Sequence, residues 1–175
     1  MTAEARTALT YRCERWRAFA SGILETAGTT FLLLIAVRWY QAGALAKALV
    51  VGGGSTGLIL SPWIVSRVEK FGWPVALAAS RLARLGAASM LLIALFPVLP
   101  LFVVGSVVAM ATIAAAIPLM TQVFQDNYPE RIRGKLFSRT VMIRIAMAAI
   151  FSELAGRVLS GRIERFQWLL LVFAV

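Results

Sequence analysis

Histidine is absent from the 175-residue chain, and cysteine occurs once, at Cys13. The first absence removes His-based catalytic triads, imidazole metal sites and His-ligated haem. The second removes any intrachain disulfide, C-x-x-C redox pair or thiolate cluster. Cys13 lies in a basic segment ahead of the first apolar run and reads as an ordinary thiol rather than a nucleophile. Charge is scarce as well: 15% of residues are charged, where soluble domains carry about 25%. In its place, 60% of the residues are hydrophobic and the mean hydropathy is +0.81. A soluble core of this length cannot hide that much apolar surface, and a disordered chain needs low hydrophobicity. The composition is that of an integral membrane protein with no cofactor implied.

The apolar runs have crossing length. About 20 residues of helix, rising ~1.5 Å each, cover the ~30 Å of hydrocarbon. Residues 1–17 form a basic N-terminal segment, and the spans fall at about 18–37, 48–66, 74–96, 101–124, 140–159 and 166–175. The first is too long for the core of a secretory signal. The second carries Gly52, Gly53, Gly54 and Gly57, which permit close helix approach or simply a bendable helix. The stretch Leu85–Gln125 is free of charge and needs a turn, best placed at Pro97-Val98-Leu99-Pro100 because paired prolines interrupt the helical ladder. A rival turn at Gly105-Ser106 has weaker breaker chemistry. The first choice brings Arg81 and Arg84 into the third span, their long stems reaching toward the headgroups. Pro118 predicts a kink in the fourth. The last run is about half a crossing, so the sequence reads as stopping inside its sixth span.

The basic residues give the orientation. With the N-terminus inside, the inner side holds Arg6, Arg12, Arg15, Arg17, then Arg67, Lys70, Arg81, Arg84, then Arg131, Arg133, Lys135, Arg139 and Arg144. The outer side holds only Arg38, Lys47, Arg157, Arg162 and Arg165. Positive residues concentrate on the cytoplasmic side of short loops, so the N-terminus is expected in the cytoplasm. The net charge of +10 is then a matter of topology, and no soluble basic surface remains for a nucleic acid.

Two of the inner loops carry patterns. Between spans two and three stands Val65-Ser66-Arg67-Val68-Glu69-Lys70-Phe71-Gly72-Trp73-Pro74. It resembles the G-x-x-x-D-R-x-G-R-R loop of the major facilitator superfamily, with Glu69, Lys70 and Gly72 at the acidic, basic and glycine positions. Val65 replaces the leading glycine, and Trp73-Pro74 replaces the closing basic pair. Between spans four and five, Tyr128-Pro129 followed by Arg133-Gly134 is similar to the superfamily's Y-P-x-x-x-R-G element. The resemblance covers essentially the whole chain. It implies an all-α polytopic membrane bundle, the six-helix N-terminal half of a twelve-helix transporter, built from two inverted three-helix repeats with the sixth helix truncated. It implies a bacterial inner-membrane location and, as partners, the lipid bilayer, a small solute and the missing C-terminal half. Glu69, Lys70, Asp126, Arg131 and Arg133, with Gly72, Tyr128, Pro129 and Gly134, become candidate parts of a cytoplasmic gate whose charges pair in one closed state. Their alternative role is to anchor topology at the headgroups.

Charges inside the spans narrow the site. Glu25 lies about 10 Å into the first span at ~1.5 Å per residue, with Ser21, Gly22 and Thr29 at i−4, i−3 and i+4 on its face. A carboxylate there should face the bundle interior or water rather than lipid. Arg144 has comparable depth in span five, which the superfamily fold places beside span one. Glu25 is therefore expected to pair with Arg144 or to line a central cavity, and the candidate substrate or proton site is Glu25, Ser21, Thr29 and Arg144. Glu153 and Arg157, at i and i+4, read as a structural pair. Span five has no glycine–proline pair, and span four has no arginine, both of which argue against a drug–proton antiporter. The function expected is secondary active transport of a small solute by alternating access, not enzymatic. The alternative is a non-transporting multi-pass scaffold or partner subunit.

Overall fold

A computed structural model describes residues 2–161 and 163–174, with the side chain of Thr29 outside the description. Arg162 and Val175, used above in the charge count and the last span, also fall outside the described residues. The described chain is helical from end to end, with no strand among the described residues. Its helices are α1 (Ala3–Thr26), α2 (Leu32–Arg38), α3 (Ala44–Lys70), α4 (Val75–Leu95), α5 (Leu99–Asn127), α6 (Glu130–Gly161) and α7 (Phe166–Ala174). A π-helical segment, Ala27–Phe31, joins α1 to α2 without a break, and a short 3-10 turn, Ile163–Arg165, precedes α7.

Three of these helices, α3, α4 and α5, are long and apolar enough to cross a membrane. Their length and composition make this a helical membrane protein. The rod from Ala3 to Arg38 starts in a charged stretch, Glu14 and Arg17 among its first turns, and its apolar part is divided by the π segment. Helix α6 is 32 residues long but carries charge at both ends and at Arg144. The described α7 has only 9 residues.

The breaks have local causes. Helix α4 ends at Leu95, and α5 starts at Leu99 with Pro100 in its first turn, where a missing N–H costs nothing. The rival turn at Gly105-Ser106 is excluded: both residues are buried within α5, and a Cβ on Gly105 would meet Ile93 of α4. Pro62 and Pro118 sit inside α3 and α5, where each removes a ladder donor. At Pro62 the repair is visible. The carbonyl that its N–H would have served belongs to Leu58, and Ser61 Oγ donates to it at 3.0 Å.

In chain order the helices form two triplets, and the main packing runs between them rather than within them. The rod α1–α2, α3 and α4 form the first, and α5, α6 and α7 the second. Across them α1 packs on α6, α3 on α5, and α4 on α7, while α4 also packs along α5. The first three pairings are unchanged when the triplets are exchanged in order. Glycines set the closest approaches, as expected where small residues let helix backbones touch. A Cβ on Gly57 of α3 would strike the Ala111 carbonyl of α5, and one on Gly22 of α1 the Arg144 carbonyl of α6.

The core runs along the inside of both triplets. Leu32, Ile35, Met90, Ile93, Phe102, Phe166 and Leu170 are all fully buried in it. At the end away from the N-terminus, Tyr40 lies 4.9 Å from the Phe102 ring and 6.0 Å from that of Phe166, and Trp39 is 5.0 Å from Phe166. These contacts tie the rod to α5 and α7. At the N-terminal face the Arg81 guanidinium lies 4.4 Å over Trp73, directed back toward the start of α4. Arg67 lies 4.9 Å over Trp63. Exposed Trp63, Trp73 and Trp168 lie within two turns of helix ends, where amphipathic rings favour a membrane interface.

Candidate functional site

One face of α1 carries Glu14, Arg17, Ser21, Gly22 and Glu25 at spacings of three and four, so these residues stack along a single stripe. At the inner end of the stripe, Arg144 Nε of α6 lies 3.2 Å from Glu25 Oε2. The pairing has a backbone cause. Gly22 leaves no Cβ between the helices, so the Arg144 backbone sits against α1 and its side chain reaches Glu25 one turn on. The Nε–H is not aligned on the carboxylate as a hydrogen bond, so this is a contact of charges. Both side chains remain part-open, 45% for Glu25 and 41% for Arg144. Two opposite charges brought together in this way avoid the cost of an isolated ion in hydrocarbon while staying reachable. Two residues beyond Glu25 the helix widens into its π segment, a distortion common at functional positions. Ser21 is half-buried and accepts a hydrogen bond from Arg17 at 3.2 Å. Thr29 belongs to the π segment, and its side chain lies outside the described residues.

The two loop patterns prove to be helix-ending devices. Gly72 has φ +61°, the left-handed conformation that glycine adopts without strain. Around it Gly72 N–H donates to Glu69 O at 3.0 Å and Trp73 N–H to Val68 O at 3.1 Å. That pair of bonds is a Schellman cap closing α3, which explains the glycine but leaves Glu69 and Lys70 exposed. In the second loop Pro129 precedes α6, and its carbonyl accepts from Ile132 and Arg133 N–H at 3.1 and 3.0 Å. Arg133 turns back and donates through Nη2 to the Gln125 and Tyr128 carbonyls at 3.1 and 3.2 Å. It thereby satisfies carbonyls that the end of α5 leaves free. Tyr128 is buried and stacks on Phe124, ring centroids 5.6 Å apart and planes within 2°. Arg131 and Gly134 are exposed.

Between α3 and α5, at the N-terminal face, lies an open groove of about 600 Å³. Glu69 and Asp126 line it together with Ser61, Thr121, Gln122 and Gln125. Among the described residues no ion pair joins Glu69, Lys70, Asp126, Arg131 or Arg133 to one another. The charge pairing expected of the gate loops is thus not present in this conformation. Both acids line one groove, and Arg133 turns to the end of α5. Glu153 and Arg157 do meet, Nε to Oε1 at 2.6 Å, in a pair that is 64% and 78% exposed and held within α6. Such a pair contributes little.

The site also includes a residue that no motif singled out. Glu14 is 4% exposed, and both its oxygens are engaged by Arg17, through Nε at 2.7 Å and through Nη2. Its setting among Arg12, Arg15 and Arg17 reads as a solvated basic segment, and its burial is a product of the fold. The single hint in the sequence was its spacing of three, four and four through Arg17 and Ser21 to Glu25. Burial first, and the negative charge of Glu14 second, push the Tyr128 phenol up to about 12, against a smaller opposing effect from Arg17. No family model, curated protein or solved structure matches the chain.

Proposed function

We propose that the protein is one wall of a secondary active transporter of the major facilitator type, moving a small solute by alternating access. The observation that carries this reading is the Glu25–Arg144 ion pair. It joins α1 to α6 at the inner end of a polar stripe, and both groups stay part-open rather than sealed in the core. Charges placed inside a membrane bundle mark pathways for ions or substrate. The exchange-symmetric packing of the two helix triplets supports the same reading, because inverted three-helix repeats are the building blocks of such transporters. So do the two loop patterns, both of which end helices at the same face. The opposite wall of the path is supplied by a second helical bundle facing the Glu25–Arg144 stripe. The bilayer is a bacterial inner membrane, with the N-terminal face in the cytoplasm.

Membrane vesicles carrying the protein together with that second bundle, screened with radiolabelled small solutes, should show uptake driven by an ion gradient. Glu25→Gln should abolish that uptake or uncouple it from the proton gradient, since the amide can neither bind nor release a proton. Unchanged uptake with an unchanged pH profile would remove Glu25 from the coupling. Absence of gradient-driven uptake for every solute class would favour a scaffold.

A further inference from the structure

A guanidinium holds five N–H donors in one plane, and inside a protein they are normally engaged by oxygens. Arg17 gives donors to Glu14 and Ser21, Arg133 to two carbonyls at the end of α5, and Arg157 to Glu153. Arg144 differs. Its Nε is buried and makes no hydrogen bond, although Glu25 Oε2 lies 3.2 Å away. The 41% of the side chain that stays open therefore lies away from Nε. No acceptor among the described residues takes a hydrogen bond from Nη1 or Nη2. Gly22 holds the Arg144 backbone against α1, so the guanidinium is presented at the open flank of the α1–α6 crossing. The pair is balanced in charge and unsatisfied in hydrogen bonds.

Donors in one plane at the end of a guanidinium match a group with two oxygens on one centre, which takes two parallel N–H bonds. We propose that the Nη end of Arg144 is the subsite for the acid group of the solute, a small anion bearing a carboxylate or phosphate, and that Glu25 is the counter-ion with which that anion competes. A cationic solute is repelled by the guanidinium, and a neutral one gains no charge-assisted bond. Competition follows from the charge count. One guanidinium between two anions leaves a net negative charge inside the bundle, where an uncompensated charge is costly. The anion is therefore held tightly only when the charge of Glu25 is withdrawn. That the bound anion is the cargo rests on the transport reading above; its binding to Arg144 does not.

The test uses the whole chain in an uncharged maltoside detergent, with inorganic phosphate and acetate as probes against chloride at constant ionic strength. Phenylglyoxal modifies open guanidinium groups, and peptide mass spectrometry reads each arginine separately. Either probe at about 0.1 M, a hundred times a millimolar Kd, should slow modification of Arg144 at least about fivefold. The exposed Arg131 should stay within about twofold of its rate in chloride. Glu25→Gln should lower the half-protecting concentration by about tenfold, because the competing charge is removed and the shape kept. A pair that serves only structure gives no gain in that variant. Arg144→Lys keeps the charge without the fork, and should lose most of the rise in thermal midpoint that the anion gives; Arg157→Lys should keep it. No protection of Arg144 by either probe, equal slowing at Arg131, or no gain in Glu25→Gln overturns the subsite. Protection by added phosphatidylglycerol but by neither soluble anion moves the contact to a lipid headgroup and overturns the solute. Protection without gradient-driven uptake in the vesicles upholds the subsite and sinks the transport reading. Uptake of a cationic or neutral solute without protection does the opposite.

Discussion

Tyr128 shows how one side chain carries both structure and titration. Its ring completes the stack on Phe124 at the α5–α6 junction, while burial and Glu14 hold the phenol at about 12 rather than its ordinary 10. An acid that ionises later when folded than when unfolded stabilises the fold fully below pH 10, and that contribution is lost as pH rises through about 12. Tyr128→Phe removes the ionisation and keeps the ring. The alkaline unfolding midpoint, followed by circular dichroism in detergent, should therefore move upward. A midpoint unchanged from the parent would mean that the phenol does not limit stability at high pH. Arg133, by contrast, acts through geometry. Its guanidinium reaches two carbonyls that the end of α5 leaves open, so the arginine of the loop pattern is accounted for by capping before any role in gating is invoked.

At the scale of helices, glycines at neighbouring positions do opposite things. Gly57 touches the backbone of α5 so closely that a Cβ would fall on the Ala111 carbonyl, whereas a Cβ on Gly54 meets nothing within 4 Å. Backbone cannot turn aside as a side chain can. Gly57→Ala should cost about 1–3 kcal/mol through forced separation of α3 and α5. Gly54→Ala should be neutral or gain up to about 1 kcal/mol from helix propensity. Thermal unfolding of the two variants in one detergent decides this; equal midpoints would mean that the α3–α5 crossing is looser than its geometry.

The same scale shows what could be read in the sequence. Leu85–Gln125 needed a turn, and the prolines located it because a missing N–H is a local, sequence-encoded defect. Gly72 was singled out as part of a loop pattern, and its positive φ supplies the reason. The Glu25–Arg144 pair was legible because the two charges lie at matched depth and the family resemblance places span one beside span five. The π segment was not visible, since Ala27–Phe31 contains nothing that ordinary helix would reject. Nor was the burial of Glu14, which depends on the packing of α1 against helices far along the chain. The partners of the loop charges were not legible either: exposed acids and bases have many ways to pair, and the fold puts Glu69 and Asp126 in one groove.

For the molecule as a whole, orientation is the property that everything else assumes. Cys13 is exposed and is the only cysteine, so it reports which side the N-terminal face occupies without any substitution. An impermeant maleimide should label it in inverted inner-membrane vesicles and fail to do so in intact spheroplasts. The reverse pattern would place the basic loops outside, against the positive-inside distribution.

The pairing of α1 with α6 also has a consequence in time. Glu25 leaves the ribosome roughly 120 residues before Arg144, an interval of about 6–24 s at ordinary elongation rates of ~5–20 residues per second. Throughout it, the nascent first helix carries a carboxylate whose eventual counter-charge has not been synthesised. During that interval no other group of the finished bundle stands where Arg144 will stand beside it. The contact seen in the finished bundle is therefore a late one: the counter-charge of Glu25 reaches α1 only once α6 has been made.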